Sequence, residues 1–261
     1  AVGSHRAFSD LSRMTDLALV TSEPRQSSSR SPLLVMLHGY GSHEQDLIGL
    51  VDFIDPRYRV VSVRAPLELD MGGFAWFPIE FSPVGMVMDM DEGLRSRDRL
   101  LSMLEQTQRQ YGNDDSDTVT LGFSQGGAMA LSMLLTAPGK LAGTAFLSGV
   151  WLRELLPDDA QSLTALEGKP VLQTHGLHDP LLPINKAHKT RDILESLPLD
   201  LTYREYPMGH EINGECLQDV SAWLAGRLPS GCPSSPLLPD DRPHRIEPVW
   251  MIVDARHQIK L

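Results

Sequence analysis

Short apolar runs alternate along the middle of the chain with longer stretches in which apolar residues recur every three or four positions. The runs are Leu33–Leu37 (LLVML), Val60–Val63, Val119–Phe123, Thr144–Leu147, Val171–Thr174 and Leu201–Tyr206. Most are apolar without a break, as expected of strands covered on both faces of a parallel sheet. Between them, the stretch from Asp91 to Tyr111 carries Leu94, Leu101, Leu104 and Tyr111 at near-helical spacing. Asp91 and Glu92 stand in its first turn, where the helix dipole favours acidic groups. Ala128–Leu135 follows a glycine pair and reads as a second helix. Pro183–Leu197 carries Ile184, Ala187, Ile193 and Leu194 on one face, and Gly214–Leu228 carries Leu217, Val220 and Leu224. Strands alternating with helices predict an α/β fold, a doubly wound and mostly parallel sheet with helices on both faces. No internal repeat interrupts the pattern.

The ends depart from it. Residues 1–13 are small and polar and lack the apolar centre of a secretory signal. They read as an extension added for expression, with Met14 a candidate natural start. Pro229 to Pro243 holds five prolines in fifteen residues, the composition of a linker. Beyond it, Ile246–Val253 (IEPVWMIV) is β-prone, but Pro248 confines it to a sheet edge. The expected organisation is therefore an extension over 1–13, one folded domain over 14–228 and a Pro-rich extension over 229–261. That last extension is a candidate contact for a homo-oligomer.

Composition narrows the class. The chain has 261 residues, 41% of them hydrophobic, which excludes fibrous and disordered chains. No apolar run approaches the ~20 residues of a membrane span, so stable membrane insertion is not expected. Acidic residues outnumber basic ones 34 to 23, a net charge of -11. An acidic surface repels phosphate backbones and anionic headgroups, so nucleic acid is not an expected partner. All of the excess falls in residues 14–228, which carry 29 acidic against 17 basic residues. Cys216 and Cys232 are far from any CxxC spacing and read as free thiols, which fits a reducing, cytoplasmic setting.

The most specific chemistry lies in Gly122-Phe123-Ser124-Gln125-Gly126-Gly127. It matches G-x-S-x-G between an apolar strand and a helical segment, the setting of a nucleophile elbow. Such a turn strains the serine backbone, needs small neighbours, and projects the hydroxyl near a helix N-terminus that favours developing negative charge. A serine hydroxyl is a weak nucleophile and needs a base oriented by an acid. On this type of sheet the order is Ser, then Asp or Glu, then His. Asp179, in His175-Gly176-Leu177-His178-Asp179-Pro180, and His210, in Met208-Gly209-His210-Glu211, both follow predicted strands and satisfy that order. Strand carboxyl ends are where open α/β sheets place their ligands.

The competitors are weaker. His175 and His178 flank Asp179, but their spacing starts in a strand and loop rather than on a helix face, so no metal is expected. His188 belongs to a polar helix, and Glu211, adjacent to His210, points elsewhere. Asp158 and Asp159 are the alternative acids. Acyl transfer also builds an oxyanion, which two backbone N–H groups can hold. Gln125 follows the nucleophile and supplies one. The other is expected from Leu37-His38-Gly39-Tyr40-Gly41-Ser42, where glycines allow close approach and Tyr40 is the candidate donor. His38 reads as a structural loop residue.

With these residues in place, the chain resembles the carboxylesterase and acyl-protein thioesterase (phospholipase/carboxylesterase) family of α/β-hydrolases. The matching pieces are LHGYGS, GGFAWFPI, LGFSQGGAMAL, LSG, HGLHDPLLP and GHEI, in family order from about Leu33 to Trp223. The resemblance implies a cofactor-free serine hydrolase acting on carboxylic esters or thioesters, with Ser124, Asp179 and His210 as triad and Tyr40 and Gln125 as oxyanion donors. Two departures stand out. Tyr40 replaces a leucine, and Pro78 stands where the family has an aspartate after its aromatic pair.

Leu67, Leu69, Met71, Phe74, Trp76 and Phe77 are expected to form an apolar loop between strand and helix, followed by Met86, Val87, Met88 and Met90. Adaptable methionines suit a variable acyl chain. Phe74, Trp76, Met71 and Leu181 are the expected substrate contacts, and a small ester with a short- to medium-chain acyl group is the expected partner. Acyl-protein thioesterase or lysophospholipase activity is the alternative chemistry. A dienelactone hydrolase ordinarily uses a cysteine, and a non-catalytic binding module is the reading from another class.

Overall fold

A computed structural model of the chain describes residues 16–26, 30–82, 85–156 and 163–228. The 1–13 extension, the Pro-rich extension over 229–261, Cys232, Asp158 and Asp159 lie outside the described residues. In chain order the strands are β1 (Leu19–Ser22), β2 (Leu33–Leu37), β3 (Arg59–Val63), β4 (Leu67–Glu68), β5 (Phe74–Ala75), β6 (Ile79–Ser82), β7 (Gly85–Met88), β8 (Thr118–Phe123), β9 (Gly143–Leu147), β10 (Lys169–Gly176) and β11 (Leu199–Tyr206). The α-helices are α1 (Glu44–Leu47), α2 (Met90–Tyr111), α3 (Gln125–Thr136), α4 (Ile184–Glu195) and α5 (Gly214–Ala225).

Seven strands form one sheet in the order β1-β3-β2-β8-β9-β10-β11. The six apolar runs of the sequence are its parallel strands, and β1 closes one edge antiparallel to β3, with Leu19 opposite Val63 and Ser22 opposite Val60. Unbroken apolarity has a direct cause. Leu33, Val35 and Leu37 of β2 join the core on one face, with Leu100 and Met103 of α2 and Met129 and Met133 of α3. Leu34 and Met36 join the opposite core, with Leu217, Val220 and Leu224 of α5. Alternate side chains point to opposite faces, so a strand covered on both needs an apolar residue at every position.

α3, behind the serine, is buried from Gln125 to Leu135. α2 packs over it. Asp89 caps α2 by accepting the Glu92 N–H at 3.0 Å, worth ~1 kcal/mol, and Gly112 ends it at φ +71°. The buried stripe of α2 is rotated from the expected one. It runs through Gly93, Ser96, Arg97, Leu100, Met103 and Leu104, while Leu94, Leu101 and Tyr111 are only half-buried. Ser96 and Arg97 occupy the inner face because each meets a carbonyl: Ser96 Oγ donates to Trp76 O (2.6 Å) and Arg97 to Leu155 O (2.7 Å). The apolar stretch expected as a loop after β3 is two small antiparallel hairpins, β4–β5 and β6–β7.

Candidate active site

Ser124 stands between β8 and α3 with φ +55° and ψ -118°. That backbone conformation costs a non-glycine residue ~1–3 kcal/mol, and the surroundings must enforce it. Its N–H donates to Leu147 O at 2.8 Å, tying the turn to the end of β9. Glycines complete the enforcement. A Cβ at Gly122 would lie 2.1 Å from Gly126 O, and one at Gly126 would lie 2.1 Å from Leu37 O and 2.4 Å from His38 O. The N-terminus of α3 therefore rests backbone on backbone against the end of β2.

Asp179 lies on the turn after β10 and His210 on the loop after β11, so both reach the same edge of the sheet. His210 Nε2 is 2.8 Å from Ser124 Oγ, and His210 Nδ1 is 2.6 Å from Asp179 Oδ2. An ionised carboxylate only accepts, so Nδ1 carries the proton and Nε2 is left to accept the serine O–H. Asp179 Oδ1 accepts two backbone N–H groups, from Leu181 (2.9 Å) and Leu182 (2.8 Å). Burial by itself would push this carboxyl up. The His210 hydrogen bond, with the two N–H donors, outweighs it and holds Asp179 below its ordinary value. The Phe123 ring lies 4.9 Å from the His210 ring, walling one side of the base.

The loop after β2 lies against the serine: a Cβ at Gly39 would be 3.4 Å from Ser124 Cβ. His38 beneath it is engaged at both nitrogens. Nδ1–H donates to Gly39 O (2.8 Å) and Nε2 accepts the Ala65 N–H (3.0 Å), which makes the ring neutral. Burial lowers its pKa to about 4. The Gln125 side chain, which sequence reasoning used only for its backbone, accepts the Trp76 N–H (2.8 Å) and donates to Phe77 O (2.7 Å).

Trp76 requires a correction. It was expected against substrate, yet it is 0% exposed, donates its indole N–H to His38 O at 2.9 Å and packs against the His38 ring. An indole with its one donor used and no accessible surface supports the loop from behind. Phe74 is half-buried, whereas Met71 (68%) and Leu181 (53%) are exposed.

The competing residues are occupied elsewhere. His188 pairs with Glu205 at 2.7 Å, Glu211 accepts the Gly209 N–H, and His178 is exposed. Among the described residues no group of three or more His, Cys, Asp or Glu could hold a metal ion. Sequence reasoning quoted Ser148 within LSG but gave it no role; it is a buried serine at φ +46° whose N–H donates to Thr174 O (2.9 Å) at the end of β9. The glycine after it was the available signal: a Cβ at Gly149 would lie 3.0 Å from Ser124 O.

A parallel sheet of this order, with a strained serine, a histidine and an aspartate linked in sequence at one edge, defines an α/β-hydrolase. The chain belongs to the phospholipase/carboxylesterase family of hydrolases, whose model matches residues 20–227. It is 28% identical over 221 residues to an acyl-protein thioesterase 1 of Gibberella zeae, covering 78% of this chain and 93% of that protein. With an acyl-protein thioesterase 1 of Neurospora crassa it shares 30% identity over 205 residues, 74% of this chain and 82% of the relative. A carboxylesterase from Mesorhizobium loti has the same fold, with a TM-score of 0.70 at 23% identity, covering 81% of this chain and 96% of that one.

Proposed function

We propose that the protein is a serine carboxylesterase that cleaves short- to medium-chain acyl esters through an acyl-enzyme on Ser124. The observation that carries this reading is the unbroken chain from Ser124 Oγ to His210 Nε2 (2.8 Å) and from His210 Nδ1 to Asp179 Oδ2 (2.6 Å). Ser124 Oγ attacks the acyl carbonyl as His210 Nε2 takes the hydroxyl proton. Asp179 holds the imidazole in its tautomer and stabilises the imidazolium. His210 then gives the proton to the departing alkoxide, and the alcohol leaves. Water, deprotonated by the same nitrogen, attacks the acyl-enzyme, and His210 returns that proton to Ser124 Oγ as the acid leaves.

The oxyanion donors of this scheme are the N–H groups of Tyr40 and Gln125. In support, the Gly39 backbone abuts Ser124, and neither N–H donates to another group among the described residues. Each such donor is worth ~3 kcal/mol to the transition state. Met71 and Leu181, apolar and exposed, with half-buried Phe74, are the side chains assigned to the acyl group.

Thioester cleavage is the second reading, favoured by the names of the two fungal relatives. The same groups would serve it, since a thiolate needs less protonation than an alkoxide to leave. Fluorophosphonate labelling of the full chain and of Ser124→Ala, beside a p-nitrophenyl ester series and an acyl thioester, tests both. Label is expected on the wild type alone, with kcat lowered on the order of 10⁶-fold in Ser124→Ala and the ester series peaking at short to medium chains. Label surviving in the variant removes Ser124 as nucleophile. A peak at palmitate, or thioester cleavage without ester cleavage, overturns the substrate assignment.

A further inference from the structure

His175 is a buried imidazole that the reaction does not use. It is the penultimate residue of β10, 0% exposed, with its backbone held in register opposite Glu205 of β11. Its Nε2–H donates to Leu182 O at 2.7 Å, and the same nitrogen lies 3.4 Å from Asp179 Oδ2. Its Nδ1 is buried and meets no hydrogen-bond partner among the described residues. A ring that donates through one nitrogen and leaves the other bare is the neutral Nε2–H tautomer, and burial favours that neutral form.

The residue at the far end of that bond is itself part of a clamp. Leu182 gives its N–H to Asp179 Oδ1 and receives the His175 proton on its carbonyl, so it is held from both sides. Asp179 Oδ2 in turn faces two imidazoles, His210 Nδ1 at 2.6 Å and His175 Nε2 at 3.4 Å. Packing does little to hold this turn, because Leu177 and Leu181 on either side of Asp179 are exposed. A residue that only filled space would serve better without a polar nitrogen buried and unpaired. What offsets that cost is the bond across the turn.

We propose that His175 is a positioning residue for the acid of the triad. Its neutral ring braces residues 177–182 from the end of β10, so that Asp179 presents Oδ2 to His210. The proposal rests on the triad reading above and adds to it a member that touches neither substrate nor nucleophile.

The test uses three variants of the full chain, each checked for its melting temperature. His175→Gln places an amide N–H near the position of Nε2, His175→Asn places one near Nδ1, and His175→Leu has neither. In His175→Asn and His175→Leu, kcat on a p-nitrophenyl ester is expected to fall about 10- to 100-fold with KM nearly unchanged, while His175→Gln stays within a few-fold of wild type. Proton NMR reads the geometry without substrate. The downfield resonance of the His210 Nδ1 proton, shared with Asp179, is expected to persist in His175→Gln and to broaden or vanish in the other two.

Equal kcat in the Gln and Asn variants, or an unchanged downfield proton in His175→Asn, overturns the proposal. The Gln and Asn pair decides the matter even where His175→Leu fails to fold. A wild type without ester hydrolysis overturns the esterase reading instead, and the downfield proton then decides the role of His175.

Discussion

His38 carries no part of the chemistry, yet its protonation couples to the fold. Burial lowers its pKa to about 4 from an ordinary 6.5. The unfolded chain therefore takes up this proton first on acidification, and stability is lost as pH falls through the unfolded value toward the folded one. Between pH 7 and 5 the loss is about 2 kcal/mol from this residue, with His175, shifted the same way by burial, adding to it. Asp179 has the same sign in a more acidic window: its carboxyl is held down, so its contribution is present above the unfolded carboxyl value and is lost as pH falls below it. Urea denaturation should show a shallower loss from pH 7 to 5 in His38→Asn than in the wild type. Parallel losses would show that His38 does not carry this slope. That His38 is a structural loop residue was legible from its glycine-rich turn, but its acceptor role toward Ala65, 27 residues away, had no local signal.

The hairpin β4–β5 and the loop after β2 form one mechanical unit. Gly41 N–H donates to Phe74 O (2.9 Å) and Phe74 N–H to Ser42 O (2.8 Å). Gly73, at φ +77°, lies so close that a Cβ there would be 2.0 Å from Gly41 O, whereas one at Gly72 (φ +92°) would meet nothing within 4 Å among the described residues. Gly73→Ala should displace the loop to which the proposed Tyr40 donor belongs and lower kcat about 10- to 100-fold. Gly72→Ala bears only backbone strain, ~1–2 kcal/mol in stability, and should keep kcat within a few-fold. Steady-state kinetics with melting curves on both variants checks this, and equal kcat in the two would rule the coupling out. The central strands were legible as unbroken apolar runs, and the long helices by a period repeated over many residues. β1, with four residues at an edge, and the short hairpins were not, since neither offers enough positions for a pattern and their pairing is non-local.

At the scale of the whole molecule, charge and apolar surface oppose each other. The chain carries -11 overall, and no helix among the described residues is long and apolar enough to cross a membrane. Exposed Met71, Val87, Leu177 and Leu181 stand on loops and hairpins of this acidic chain. Repulsion acts over a Debye length, ~10 Å at 0.1 M salt, so flotation with phosphatidylserine-rich vesicles at low salt should leave the protein unbound. Recovery with the vesicles would contradict this. The sequence by itself determined the sheet, its alternating helices and the order Ser124, Asp179, His210, because periodicity and local turn chemistry are written in neighbouring residues. Only the tertiary structure decided what lies behind them. Trp76 turned inward, Gln125 pinned Trp76 and Phe77, Ser96 and Arg97 rotated the face of α2, and His175 reached Leu182. In each case the partner is a backbone group brought close by the sheet, and a backbone carbonyl or N–H is the same at every position, so no residue type announces it.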